Sequence, residues 1–221
     1  MRAKLVRCGP RWTVRRFRTG SSRNPRDMNF GRLIARATIG GLFAAHGTQK
    51  LFGWFGGPGI GGTSQMMEKL ELHPPKRNAV AAAAAESAGG TLLALGALTP
   101  LAGTLITSTM VTAIRKVHAP KGPWNTAGGY EYNLVLIAAV AALVECGPGT
   151  PSIDRALGIE AKGSRWALAS LAAGAAGSTL AIEAGRRLAT RAKAEEQEQE
   201  RTDRFAKNGR PAEAETLSAA A

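Results

Sequence analysis

Long apolar stretches, broken at intervals by turn residues, dominate the middle of the chain. Residues 33–55, 79–99, 101–117 and 130–146 are each mostly apolar, and residues 87–114 carry no charge over 28 positions. A helix on the surface of a soluble domain must turn polar side chains outward, which that stretch cannot do. A helix needs roughly 20 mostly apolar residues to cross the hydrocarbon core of a bilayer. The pattern therefore predicts four membrane-spanning helices. The third and fourth have uncharged cores of about 14 and 13 residues, so they reach across only with Arg115 and Glu145 at the interfaces. Residues 166–185, weaker in Leu, Ile and Val, form a candidate fifth helix.

Turn residues set the connections. Pro100 marks the break between the second and third segments, and so short a turn makes them an antiparallel hairpin. The run GGPGIGG at 56–62 predicts no helix. It also lacks the Lys-Ser/Thr that a phosphate-cradling loop needs after its last glycine. Residues 63–72 predict a short amphipathic helix with Met66, Met67 and Leu70 on one side, lying on the membrane or covering the bundle. Pro74-Pro75 ends it. A second loop covers 119–129, Gly147-Pro148-Gly149 stops the fourth helix, and the charged tail from residue 186 reads as a solvated helix or as disorder.

Charge changes this picture at the ends. Mean hydropathy is −0.10 because it averages unlike regions. Residues 1–27 hold nine Lys/Arg and one acid, while residues 186–221 hold eight Lys/Arg and seven acids. The net charge of +13 could suggest nucleic acid, but basic patches interleaved with aromatics are absent, and no nucleic-acid partner is expected. Basic residues ahead of a first span hold an N-terminus in the cytoplasm. Residues 1–27 read either as a disordered cytoplasmic extension or as a segment ahead of a true start at Met28. Cys8 and Cys146 form no local pair. His46, His73 and His118 are scattered, with no helical i, i+4 spacing, so no metal and no bound cofactor are expected.

Candidate chemistry gathers in one half of the bundle. Glu86 lies seven residues into the second span, about 10 Å deep at 1.5 Å per residue. An ionisable residue in a span raises a functional hypothesis by default. His46 and Lys50 are four apart on one face near the end of the first span. Arg115, Lys116 and His118 end the third span, and Glu131 begins the fourth. With the N-terminus inside, all of these fall in the outer half. Two readings stand side by side. In one, Glu86 pairs with Lys50 or Arg115 and fixes helix register. In the other, Glu86, His46, Lys50, Arg115 and Glu131 line a polar pocket for a quinone, an anion or a proton. Lys116 and His118 read as interface residues, and Arg32 and Arg36 as side chains snorkelling to the headgroups.

The first span, RLIARATIGGLFAAHGTQKLFG, resembles the opening of the DoxX family of small four-helix membrane proteins, with His46, Gly47 and Lys50 at its His-Gly-x-x-Lys-like end. The stretch GGYEYNLVLIAAVAALV, followed by GPGTPSID, resembles that family's closing segment, with Glu131, Asn133 and residues 147–154. Glu86 falls at the family's acidic position in the second helix. The resemblance covers about residues 30–158. It implies a membrane subunit of a redox system, quinone-linked or serving oxidative-stress defence, working with other subunits or soluble redox enzymes. The rival reading is a non-catalytic scaffold that recruits such enzymes.

The chain is thus expected to be all-α, an integral multi-pass protein of the cell membrane built as a four-helix bundle with a fifth C-terminal helix as an open question. The expected divisions are a basic extension at 1–29, the membrane domain at 30–158, an additional apolar helix at 159–185 and a charged tail at 186–221.

Overall fold

A computed structural model describes residues 29–208, with side chains to residue 205. The expected N-terminal extension, its cytoplasmic placement and the last part of the tail lie outside the described residues. Within them the fold is all-helical, without strands.

Helix α1, Phe30–Phe52, ends where Gly53 takes a left-handed φ of 74° and returns its N–H to Gln49 O. Helix α2, Gly59–Lys69, begins inside the glycine run, so the expectation of no helix over 56–62 is corrected. Each glycine there costs about 1 kcal/mol of helix propensity, but packing offsets it. Thr63 and Met67 are buried, and the Thr63 hydroxyl donates to Gly59 O at 2.7 Å. Helix α3, Pro75–Leu95, starts with Pro75 at its first position, where the fixed φ is preorganised and no N–H is missed. The proline pair thus opens a helix as well as closing one.

Gly96 (φ 63°) and Leu98 (φ 44°) make the turn into α4, Thr99–Ala113. The expected hairpin is present, but Pro100 sits in the first turn of α4 instead of in the connection. Beyond Ala113 the helix widens into a π turn, Ile114–His118. Helix α5, Glu131–Cys146, is stopped at Gly147 (φ 77°). A return segment containing the one-turn α6, Ile153–Ala156, leads to α7, Ser164–Asn208, a single helix of 45 residues.

The fifth apolar segment and the start of the charged tail are therefore one helix. It packs along α4: the Ser170 hydroxyl donates to Pro100 O at 2.9 Å, and Thr112 and Ser178 share a hydrogen bond of 2.9 Å. Ala167, Ser170, Ser178 and Ile182 are buried, so the first half of α7 belongs to the bundle. Helix α7 is also the one described helix both long and apolar enough to cross a membrane, whereas α4 and α5 have 15 and 16 residues.

Helix α1 packs most extensively on α3, and α4 on α7. The main core joins Phe43, Leu93, Ile106, Val140 and Leu143, and a second cluster of Met67, Leu72, Ala79 and Ile182 lies under α2. Small residues make the closest crossing. A Cβ at Gly40 would stand 2.5 Å from both Ala94 N and Gly90 O, whereas at Gly41 it would meet nothing within 4 Å.

These neighbours give a paired prediction. Gly40→Ala should destabilise the protein by about 1–3 kcal/mol through overpacking, while Gly41→Ala should be neutral or stabilise by up to about 1 kcal/mol. Thermal unfolding of the two variants in one detergent checks it; equal effects would refute the tight α1–α3 crossing.

Candidate functional site

The α1–α3 crossing sets the site. Gly47 lies against Ala83 O and Ser87, so the last turn of α1 rests on the middle of α3. One turn further on, Lys50 Nζ meets Glu86 Oε1 at 2.5 Å. Glu86 is 5% exposed. Its second oxygen, Oε2, has no hydrogen-bond partner, and neither does the buried hydroxyl of the adjacent Ser87. A carboxylate with one oxygen committed and one open can still accept a hydrogen bond or hold a proton.

This pair borders a cavity of about 280 Å³ between α2, α3, α4 and the edge of α7. Met66, Met67 and Leu70 of α2 roof it, Ala82 and Ala85 of α3 form one wall, and Thr109 and Thr112 of α4 face them. Both threonines donate their hydroxyls to their own helix, at Ile106 O and Ser108 O. The lining is mainly apolar, and its charged groups are the ion pair and Lys116.

The other expected site residues go elsewhere. His46 is exposed, with Nδ1 at 3.0 Å from Gln49 Oε1. Four residues separate it from Lys50, yet the groove between α1 and α3 admits only the lysine. Arg115 is exposed and donates to Thr179 Oγ1 on α7 at 2.9 Å. Glu131 is exposed and accepts the Asn125 N–H at 3.0 Å, shaping the loop ahead of α5. None of the three lines the cavity. The expected five-residue cluster thus resolves to the Lys50–Glu86 pair. Lys116, read from sequence as an interface residue, does line the cavity. The amphipathic face of Met66, Met67 and Leu70 was the available signal for the roof.

A second polar centre sits at the opposite end. Asp154 is 1% exposed and accepts Leu98 N–H at 2.6 Å, Thr99 N–H at 3.0 Å and the Thr99 hydroxyl at 2.7 Å. It caps α4 from a distant part of the chain, satisfying amides that a helix N-terminus leaves open. Arg36 is buried beside this turn and donates to Pro151 O. Arg32 donates to Cys146 O at 2.7 Å. The snorkelling expected of both arginines is corrected: they tie α1 to the turn after α5. Among the described residues no three His, Cys, Asp or Glu side chains converge as metal ligands.

The DoxX family model matches residues 31–119. That segment takes in α1 to α4 with the π turn, and it holds every cavity-lining residue except Ala181. It stops short of α5, whereas the motifs quoted above extend the resemblance to residue 158. No curated protein and no solved structure matches the chain.

Removing one member of a buried ion pair leaves the other uncompensated. Lys50→Met alone should therefore cost about 1–3 kcal/mol, and adding Glu86→Gln should recover part of that loss. A double-mutant cycle on thermal stability reads the coupling directly; strict additivity would show that the pair is not formed.

Proposed function

Starting from a chain that belongs to the DoxX family through residues 31–119, we propose that it is a multi-pass protein of the cell membrane and a subunit of a membrane redox system. Its part is to bind a quinone-class ring in the cavity beside Lys50 and Glu86. The observation that carries this reading is that Glu86, a residue of the wall of a mainly apolar cavity, keeps a buried Oε2 with no partner. A volume of about 280 Å³ lies at the lower end of small-molecule sites, suited to one ring headgroup. Glu86 would accept a hydrogen bond or proton from a hydroxyl of the ring in its quinol form, and Lys50 would hold that carboxylate in place.

The distribution of side chains supports the membrane setting. Ile34, Leu42, Leu134, Val135, Leu168 and Leu180 point outward, while the closest approaches between helices use Gly, Ala and Ser. In lipid, helices associate through small residues and hydrogen bonds because the tails are as apolar as leucine. The π turn extends α4 toward spanning length. Helix α7 running alongside α4 supports five crossings, which place the two termini on opposite sides. With the N-terminus in the cytoplasm, the cavity lies in the outer half.

The scaffold reading keeps one observation of its own. Beyond the buried Gly185, α7 continues to Asn208 as an exposed, charged helix, a surface able to recruit soluble redox enzymes.

Glu86→Gln should weaken binding of a hydroxyl-bearing quinol analogue to the purified protein about tenfold or more, since a charge-assisted hydrogen bond becomes a neutral one. Titration of intrinsic tryptophan fluorescence measures it, and unchanged affinity would sink the cavity reading. Removal of residues 186–221 separates the rival. The cavity reading expects analogue binding to survive it, whereas loss of enzyme recruitment with an intact cavity would favour the scaffold.

A further inference from the structure

The cavity holds a cation that the ion pair does not neutralise. Its charged lining consists of Lys50, Glu86 and Lys116, which leaves one positive charge. Lys50 is committed to Glu86, while Lys116 is half-buried and forms no ion pair among the described residues. A cation facing an apolar space is costly unless something supplies the opposite charge.

Its placement comes from the widened turn Ile114–His118. Such π turns are rare and concentrate at functional sites. Here the turn parts two neighbouring cations. Arg115 reaches across to Thr179 on α7, whereas Lys116 and Val117 face the cavity. Among the other donors on the lining, Thr109 and Thr112 are engaged with helix carbonyls and the Asn78 amide with Pro74 O at 3.2 Å, which leaves only the neutral Ser108 hydroxyl beside Lys116. Opposite them lie Met66, Met67 and Leu70, and methionine side chains adapt to flat or irregular apolar bodies.

From this geometry we propose that Lys116 anchors an anionic oxygen of the bound molecule, so that the cavity prefers an amphiphile with one negative oxygen on an apolar, ring-sized body over its neutral counterpart. The proposal rests on the cavity reading above and adds a charge preference and the residue that enforces it. Lys116 Nζ donates a charge-assisted hydrogen bond. Because Lys50 neutralises Glu86 at 2.5 Å, that carboxylate does not repel such a ligand. An ionised hydroxyquinone and a fatty-acid carboxylate share this chemistry.

The test uses the full chain in nanodiscs of neutral phosphatidylcholine. Dissociation constants are measured for an ionised hydroxynaphthoquinone, for neutral naphthoquinone and for a medium-chain fatty acid, with wild type, Lys116→Met and Lys116→Arg. Wild type should bind the ionised quinone about ten times more tightly than the neutral one, the size of a modest charge-assisted bond. Lys116→Met should erase that ratio by weakening the ionised quinone about tenfold relative to the neutral one, and Lys116→Arg should keep it. A ratio near one in wild type, or a ratio that survives Lys116→Met, overturns the proposal. Lys116-dependent binding of the fatty acid alone would uphold the anion anchor and overturn the quinone reading. Failure of all three ligands to bind would overturn both.

Discussion

The close crossing of α1 and α3 governs the rest of this molecule. Gly40 lies against Gly90 and Ala94, and Gly47 against Ala83 and Ser87, with no room for a side chain at either glycine. Bringing two backbones this near fixes both the axial position and the rotation of the helices. Lys50 then has one place to put its ammonium group, and Glu86 occupies it. In the proposed membrane setting such contacts carry the association, because lipid removes the hydrophobic force between helices. The cavity is a by-product of the same constraint: α3 is held to α1, α4 turns away toward α7, and α2 closes the gap.

Buried polarity is divided between the two ends of the bundle. At one end Asp154, Arg36 and Arg32 bind backbone groups and hold the connections. At the other, the Lys50–Glu86 pair borders the cavity, and the buried Glu86 Oε2 has no partner. Satisfied polar groups specify and rigidify a structure. An unsatisfied carboxylate oxygen on a cavity wall is the arrangement that a ligand or a proton completes. Because Arg36 Nε and Nη1 are also buried without a partner, what distinguishes the Glu86 end is the adjoining cavity.

Much of this was legible in the sequence, for identifiable reasons. Apolar runs bounded by Gly and Pro placed α1, α3, α4 and α5 within a few residues, since burial and helix periodicity are local properties. Glu86 stood out because a lone carboxylate in such a run needs a partner, and Lys50 was one of the two partners considered. Helix α7 was divided at Arg186 because hydropathy changes there, although Ala, Arg, Glu, Gln and Lys are all good helix formers. The helix in the glycine run depends on Thr63 and Met67 packing against residues distant in sequence. Arg115 and Lys116 could not be told apart, since one residue added to a helical turn decides which of the two faces inward. The burial of Arg36 required knowing that the chain after α5 returns to α1.

Asp154 also imposes an order on assembly. The amides that it caps belong to Leu98 and Thr99, yet it is made only after the whole of α5. Until then the hairpin of α3 and α4 has an open helix start, and open amides are costly in hydrocarbon. In the proposed membrane setting, the nascent hairpin would keep that end in water, or against the insertion machinery, until the chain returns. The aspartate acts as a late latch, closing the first four helices together before α7 is laid against them.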